Sequence, residues 1–197
     1  MLNSNSENFN QYLNVLDFSS LRKYFIENGT LRNGEKKDYF VKQGTSAHEI
    51  ALIESGGVRY TCVGNDGKEQ IVGYSFQHDF ACCYVSFIHK KPSILNAQYI
   101  QKTSLYVLSY NQIMNYLEQD INTQRFRRMI AEEFATQTYE RLLSFYCDTP
   151  EERYISLMKR HNKLLNYISL KEIASYIGVT PETLSHIRKK LSMNEKS

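Results

Sequence analysis

The sequence feature that most restricts the fold lies near the C-terminal end, where two helix-start signals stand on either side of a glycine. Ser169, followed three residues later by Glu172, forms a capping box that begins a first helix. Thr180 and Pro181 supply the N-cap and the first helical residue of a second helix. Gly178 lies between them, where the chain must turn sharply and a positive φ is expected. This spacing predicts a helix-turn-helix.

The apolar side chains of residues 169–191 are spaced to form one core shared by the two helices, and the small Ala174 suits their close approach. The predicted core positions are Ile173, Ile177, Val179, Leu184 and Ile187. One face of the second helix is left outside this core and would enter a DNA major groove; it carries Pro181, Glu182, Ser185, His186 and Lys189. An ordinary amphipathic helical hairpin remains the alternative.

Positive charge is concentrated in the same part of the chain. Residues 151–197 hold nine Lys and Arg against five Glu, which gives net +4, whereas the preceding 150 residues are at −1 and the whole chain at +3. A localised basic excess is expected of a module that binds phosphate groups. A solvated helical face would give the same count, so the charge supports the prediction without deciding it.

Composition argues against several other classes of protein. The 197 residues suit one or two domains, and an apolar content of 42% can supply a core. No apolar run approaches the length of a membrane span, and residues 1–8 lack the pattern of a signal peptide, so a cytoplasmic location without a membrane partner is expected. The four cysteines lack CxxC spacing and the five histidines are scattered, so neither a metal site, a cofactor nor an enzyme is predicted.

The middle of the chain changes character from helical to strand-like and back. Residues 9–28 have the spacing of an amphipathic helix, and the break at residues 79–88 allows a short helix. Short runs rich in Val, Ile, Tyr and Phe, separated by turn residues, predict a small β sandwich or barrel with strands at 37–42, 49–54, 58–63, 69–75 and 99–108. Asn65-Asp66-Gly67 marks a hairpin turn between two of them.

Helical spacing returns after Ser109, with a short helix at 111–118 and a long one at 121–146. A helix of about 25 residues is ~38 Å long at 1.5 Å per residue. Because this exceeds the width of a small β domain, we expect the helix to pair with a second copy of itself, although packing on its own domain alone stays open. Thr149, Pro150 and Glu152 form a further capping box, which begins a helix over 151–160.

The order of β-roll, long helix and helix-turn-helix resembles the CRP/FNR family of bacterial transcription regulators, most closely the short members found in Bacteroides-type bacteria. The resemblance covers about residues 10–191, is most specific at 177–185, and also rests on Gln43-Gly44, Glu54-Ser55-Gly56-Gly57-Val58-Arg59-Tyr60 and Asp79-Phe80. It implies an α+β fold with a double-stranded β-helix like that of cyclic nucleotide-binding domains. It also implies a homodimer on two-fold symmetric double-stranded DNA, with RNA polymerase as a further partner.

With this resemblance the chain divides into a sensor-like β-roll domain at 1–110, connecting and dimerisation helices at 111–147, and a DNA-binding domain at 148–197. Dimerisation is assigned to 121–146. The resemblance also implies an effector site at two sequence pairs. In cyclic nucleotide-binding members a Gly-Glu pair and a later Arg-Ser pair hold the ligand; here Cys82-Cys83 and Pro92-Ser93-Ile94 stand at those places. The candidate ligand-binding residues are therefore Cys82, Cys83 and Ser93. Because the acid and the arginine are both missing, useful binding of cyclic AMP is not expected.

The candidate DNA-binding residues follow from the same alignment. His186 stands where the family usually has an arginine that would bond guanine bidentately, so a weaker or altered base preference is expected there. Glu182 would accept a bond from cytosine, and Ser185 would contact a base or a phosphate. The cations would hold phosphates without sequence preference. The complete set is Lys171, Thr180, Pro181, Glu182, Ser185, His186, Arg188, Lys189 and Lys190.

The sequence thus favours a homodimeric, sequence-specific DNA-binding regulator with a degenerate sensor domain. A small-molecule-binding β-barrel whose helical tail serves protein contacts is the main alternative. A metal-dependent barrel enzyme is a weaker one. The effector, the operator and the sign of regulation do not follow from the sequence.

Overall fold

A computed structural model describes residues 8–65, 67–161 and 164–194, which form two compact units. The first unit runs from Asn8 to Gln137, and the second begins at Thr138. The boundary between them lies inside the long helix. Residues 1–7 and Asp66, which the sequence assigned to a polar terminus and to a hairpin turn, lie outside the described residues.

The first unit is a β sandwich with helices at both ends of its sequence. Its two antiparallel four-stranded sheets have the orders β1-β8-β3-β6 and β2-β7-β4-β5. The elements are α1 (Tyr12–Val15), α2 (Ser19–Asn28), β1 (Thr30–Gly34), β2 (Tyr39–Val41), β3 (Glu49–Ser55), β4 (Gly57–Val63), β5 (Glu69–Phe76), β6 (Phe80–Ala81), α3 (Tyr84–Ile88), β7 (Asn96–Tyr99), β8 (Thr103–Ser109), α4 (Tyr110–Leu117) and the start of α5 (Ile121–Cys147). The predicted α+β class with a nucleotide-binding-like β-roll is confirmed.

Two predicted elements are wrong in their bounds, and two strands were missed. The single helix expected at 9–28 is two helices, because the Asp17 carboxylate accepts a hydrogen bond from the Ser19 backbone and starts α2 afresh. The single strand expected at 99–108 is two strands of different sheets, β7 and β8, whose short connection holds no Gly or Pro and includes a bond from the Thr103 hydroxyl to the Gln101 carbonyl. The missed strands are β1, whose side chains are mostly exposed, and β6, which has only two residues.

The sheet containing β3 is buried on both faces, so it separates two apolar clusters. Alternate side chains of a strand point to opposite faces. Accordingly Ala51 and Ile53 pack between the two sheets with Val58 and Leu105, whereas Leu52 packs against the helices. The helix-side cluster is completed by Leu13, Phe18, Leu21, Phe25, Phe80, Phe87, Leu108, Ile113, Met114 and Leu117.

The second unit is entirely helical in the part that the structure describes. It contains the last turns of α5, α6 (Pro150–Arg160), a 3-10 turn at Leu164–Asn166, α7 (Leu170–Ile177) and α8 (Pro181–Asn194). The predicted capping box of α6 is confirmed, since Thr149 and Glu152 each bond the other's backbone N–H. The core joins α6, α7 and α8 through Leu157, Leu164, Ile168, Ile173, Ala174, Ile177, Leu184 and Ile187. No helix among the described residues has the length and apolar character needed to cross a bilayer.

Candidate nucleic-acid interface

The first helix of the predicted helix-turn-helix forms as its capping signals require. The Glu172 carboxylate accepts a bond from the Ser169 backbone N–H at 2.9 Å, and the Ser169 hydroxyl accepts one from the Glu172 N–H at 3.3 Å. Helix α7 then ends at Gly178, which adopts the left-handed conformation with φ 74° and ψ 39°. The Val179 N–H closes the turn on the Ala174 carbonyl at 2.9 Å. The predicted turn and its positive φ are confirmed.

The second helix, α8, presents the predicted polar face to solvent. The Thr180 hydroxyl caps α8 by accepting a bond from the Thr183 N–H at 3.2 Å. This bond holds the Thr180 side chain at the start of the helix. Leu184 and Ile187 point into the core, while Val179 is half-buried. The side chains on the opposite face are all exposed: Pro181, Glu182, Ser185, His186 and Lys189. One continuous exposed strip therefore runs along α8.

The charges on this strip are unevenly distributed. The Glu182 backbone N–H and the Thr180 hydroxyl hold the pKa of the Glu182 carboxyl below its usual range, so the first turn of α8 carries a full negative charge at neutral pH. Lys189 is exposed two turns further on, and Lys171 is exposed in the first turn of α7. Arg188 is half-buried. The strip can thus accept a hydrogen bond at one end and contact a phosphate at the other.

Lys190 differs from the other candidate phosphate contacts because a carboxylate of the same unit already engages it. Its Nζ lies 2.6 Å from Oε2 of Glu151, which stands in the first turn of α6. This pair could not be predicted from local spacing, since the two residues are 39 positions apart along the chain. A phosphate that bound Lys190 would have to compete with Glu151.

We expect Glu151→Gln to strengthen DNA binding by about twofold to fivefold, because it releases Lys190 from a surface ion pair. The salt dependence of binding should become steeper by up to about one unit of log K against log salt. Titrations at several salt concentrations measure both quantities. Glu54→Gln, at an exposed position in the first unit, makes the same charge change and should alter neither. An unchanged slope for Glu151→Gln would show that Lys190 does not reach a phosphate.

The three candidate effector residues do not converge on one site. Cys83 and Ser93 are brought together at one carbonyl: the Leu95 oxygen lies 3.9 Å from Cys83 Sγ and accepts a bond from the Ser93 hydroxyl at 2.6 Å. Cys83 belongs to the cluster between the sheets, whereas Cys82 packs against the helix-side cluster. The two residues link β6 to α3, and their side chains leave this link in different directions. The prediction of a shared site at Cys82, Cys83 and Ser93 therefore has no geometric support for Cys82.

Neither adjacent cysteine has the surroundings of a reactive thiol. Burial raises the pKa of both thiols; for Cys83 a hydrogen bond with Ser93 opposes the shift only partly. A thiol kept protonated is a poor nucleophile and a poor metal ligand. Among the residues that the structure describes, no group of three His, Cys, Asp or Glu side chains could hold a metal ion. These two residues are best understood as small apolar side chains of the two clusters.

Sequence reasoning missed a buried carboxylate at Asp79, next to the effector region. One oxygen accepts bonds from the Tyr12 hydroxyl and, at 2.6 Å, from the Phe80 N–H; the other accepts one from Asn10 Nδ2. Burial raises the pKa of the carboxyl, and these hydrogen bonds oppose the shift. Asn10 and Tyr12 are nearly seventy positions away in sequence, so local spacing holds no signal of the network.

An open groove of about 680 Å³ lies in the first unit between α3 and α5. It is lined by Tyr84, Ile88, Glu118, Gln124, Arg127, Arg128 and Ala131. Arg127 pairs with Glu118 at 2.6 Å and Arg128 with Glu132 at 2.7 Å. None of the three candidate effector residues lines it. Tyr84, one of its lining residues, directly follows Cys83 in sequence.

The described chain thus combines a β-roll, a long helix and a helix-turn-helix. Residues 24–120 match the sequence model of the cyclic nucleotide-binding domain. This match spans α2 to the end of α4 and so covers the whole β-roll. A comparison with curated protein sequences gave no match.

The chain also shares its fold with solved structures of CRP/FNR-family regulators. FixK2 from Bradyrhizobium japonicum is 20% identical, with a TM-score of 0.72 and coverage of 85% of this chain and 86% of that one. The c-di-GMP responsive global regulator CLP from Xanthomonas campestris is 16% identical, with a TM-score of 0.67 and coverage of 90% and 93%. A CooA mutant from Carboxydothermus hydrogenoformans is 14% identical, with a TM-score of 0.67 and coverage of 98% and 87%. At these identities the likeness concerns the fold.

Proposed function

We propose that this protein is a sequence-specific DNA-binding transcription regulator of the CRP/FNR type, close to the short Bacteroides-type members, which acts in the cytoplasm. The observation that carries the proposal is the exposed polar strip of α8 on a helix-turn-helix whose capping and turn geometry are intact. Glu182, Ser185 and His186 are the side chains proposed to contact base edges. Lys171, Arg188 and Lys189 are proposed to contact phosphates, with RNA polymerase as a further partner once the protein is bound.

A homodimer formed through α5 is part of the proposal. The first half of this helix packs on its own unit, where Phe126 stacks edge-on against Phe18 at 5.2 Å and Phe134 lies 4.8 Å from Tyr84. The second half instead exposes an apolar stripe made of Tyr139, Leu142, Leu143 and Tyr146. An exposed stripe of this kind is a typical helix-pairing surface. A second copy of the chain would cover it and give the assembly two-fold symmetry.

In vitro selection of bound DNA tests the function and the symmetry together. The expected result is a consensus of two inverted half-sites, and competition with random DNA should leave the shifted complex intact. Selection without any consensus would overturn the proposal. A small-molecule-binding barrel with a protein-binding tail would give that result, and the protein would then show no specific shift on any duplex.

We expect Lys189→Ala to weaken binding to all sequences alike and to lower the salt slope by about one. The physical reason is that Lys189 is exposed on the strip and would neutralise one phosphate. Salt titrations on the selected site and on random DNA measure the effect. The matched variant Lys190→Ala should change the slope less, because Lys190 is already paired with Glu151. A loss confined to the selected site would mean that Lys189 reads a base.

Cyclic AMP is not expected to bind at useful affinity. Cys83 stands where nucleotide-binding members carry the acid that accepts from the ribose, and its thiol is buried and protonated. Losing charge-assisted contacts on both ribose and phosphate costs several kcal/mol, hence about three powers of ten or more in affinity. Isothermal titration calorimetry with cyclic AMP up to millimolar concentration should show no saturable heat. Micromolar binding would contradict this expectation.

A further inference from the structure

Two arginines hold the carbonyl end of α7, next to the turn of the helix-turn-helix. Arg141 of α5 donates from Nη2 to the Tyr176 carbonyl at 3.2 Å, and Arg153 of α6 donates from Nε to the Ile177 carbonyl at 3.0 Å. The last carbonyls of a helix have no partner within the helix and carry its negative pole. The two guanidinium groups satisfy these carbonyls from two different helices, so α7 is fixed to both.

Ring contacts make the same attachment stiffer. The Arg141 guanidinium lies over the Tyr176 ring, 3.8 Å from its centroid, and Arg153 lies 5.1 Å from the centroid of Phe145. Arg153 also donates to the Asp148 carbonyl at 2.7 Å, which ties the end of α5 to the start of α6. A planar fork that stacks and donates at once is a property of arginine that lysine lacks.

The turn itself contacts α5 directly. A side chain added at Gly178 would place its Cβ 2.8 Å from Cε1 of Phe145, so the bare backbone of the turn already lies against that ring. Arg141 and Phe145 are four residues apart and share one side of α5. The turn that sets the direction of α8 is therefore positioned by the last two turns of α5.

The other side of those same turns carries the proposed dimer stripe. At 3.6 residues per turn, the group Tyr139, Leu143 and Tyr146 is centred about 150° around the helix from Arg141 and Phe145. Their exposed fractions are 62%, 40% and 81%. One short stretch of helix thus separates the stripe from the recognition module, and all of it belongs to the second unit.

We propose that Arg141 and Arg153 are positioning residues that set the separation of the two recognition helices, and hence the half-site spacing that the dimer accepts. This inference rests on the proposed function. In a two-fold dimer the half-site spacing is set by the distance and orientation of each recognition helix relative to the dimer interface. Here the residues that connect the stripe to the recognition helix are those of α5 around Arg141, which bonds the end of α7. The base-contacting side chains on α8 play no part in it.

The test uses full-length protein and duplexes built from the selected consensus, with the spacer between half-sites changed in single base-pair steps. Wild type should bind one spacer best. Arg141→Ala should reduce the preference for that spacer over its neighbours by about threefold to tenfold, the range expected for coupling residues. Base substitutions inside a half-site should cost the variant as much as they cost wild type. A residue needed only for folding would weaken binding to every duplex equally and leave the spacer preference unchanged.

Arg141→Lys keeps the charge without the stacked fork and should lower the spacer preference even where Arg141→Ala does not fold. Arg128→Ala, on the exposed Arg128–Glu132 pair of α5 in the first unit, is the control and should keep the full preference. An unchanged spacer preference in Arg141→Lys and Arg153→Lys, with dimers intact by sedimentation, overturns the inference and leaves the proposed function standing. Absence of any specific DNA binding by wild type overturns both.

Discussion

Asp79→Ala should lower the free energy of unfolding by about 2–4 kcal/mol, because it removes the acceptor of two buried donors. Both the Tyr12 hydroxyl and the Phe80 N–H bond the same oxygen, Oδ1, of a carboxyl group whose residue is only 2% exposed. Asn10 loses one bond but keeps its bond to the Tyr74 carbonyl at 2.8 Å. Urea or thermal unfolding followed by circular dichroism measures the loss.

The matched variant Asp79→Asn separates hydrogen bonding from charge. It retains Oδ1 as an acceptor for Tyr12 and Phe80, so its loss should be clearly smaller than that of alanine. Burial raises the pKa of the Asp79 carboxyl in the folded protein, so the folded state binds the proton more tightly than the unfolded state. This contribution to stability is therefore full below the ordinary carboxyl pKa and is lost as pH rises through the folded pKa. Asparagine should abolish that part of the pH dependence; an equal loss in both variants would show that Oδ1 does not hold the network.

Gly178→Val should disrupt the helix-turn-helix more than any other single change on its surface. The left-handed backbone costs an L residue about 1–2 kcal/mol, and the new side chain must displace the Phe145 ring at a cost of about 1–3 kcal/mol. The expected result is loss of specific DNA binding together with a lower melting temperature of the second unit. Mobility shift and calorimetric melting measure the two effects.

Gly67→Val provides a control with the same backbone angle. Gly67 also has φ 74°, but nothing lies within 4 Å of a Cβ built there. Gly67→Val should therefore lower the free energy of unfolding only by the backbone strain, and DNA binding should be retained. If both variants lost the same amount of stability and DNA binding, the contact between the turn and Phe145 would contribute to neither.

Much of the second unit could be predicted from the sequence because its signals are local. Capping boxes join residues three positions apart, and a glycine between two helices indicates a positive φ from its residue type alone. The predicted bounds of α6, α7 and α8 therefore agree with the structure to within a few residues. The β-roll was harder. The connection that passes from β7 in one sheet to β8 in the other contains neither Gly nor Pro, and the break between α1 and α2 depends on a single aspartate. Neither boundary is marked by a turn residue of the usual kind.

The parts of the candidate site that escaped prediction all depend on contacts between distant residues. The strip on α8 followed from helical spacing, whereas the Lys190–Glu151 pair, the arginines at the end of α7 and the Asp79 network each join separate elements. The separation of Cys82 from Cys83 also depends on such contacts, since the two side chains pack in different clusters. Residues adjacent in sequence therefore need not share a site.

The two-sided burial of β3 has a consequence for how the length of this chain can vary. Inserting or deleting one residue within Glu49–Ser55 would exchange the faces of every side chain beyond that point, moving Leu52 towards the second sheet and Ile53 towards the helices. Substitutions of similar size can be absorbed there, but a change of length cannot. The β4–β5 hairpin, with open space beside Gly67, is where added residues, a tag or a labelling peptide can be accommodated.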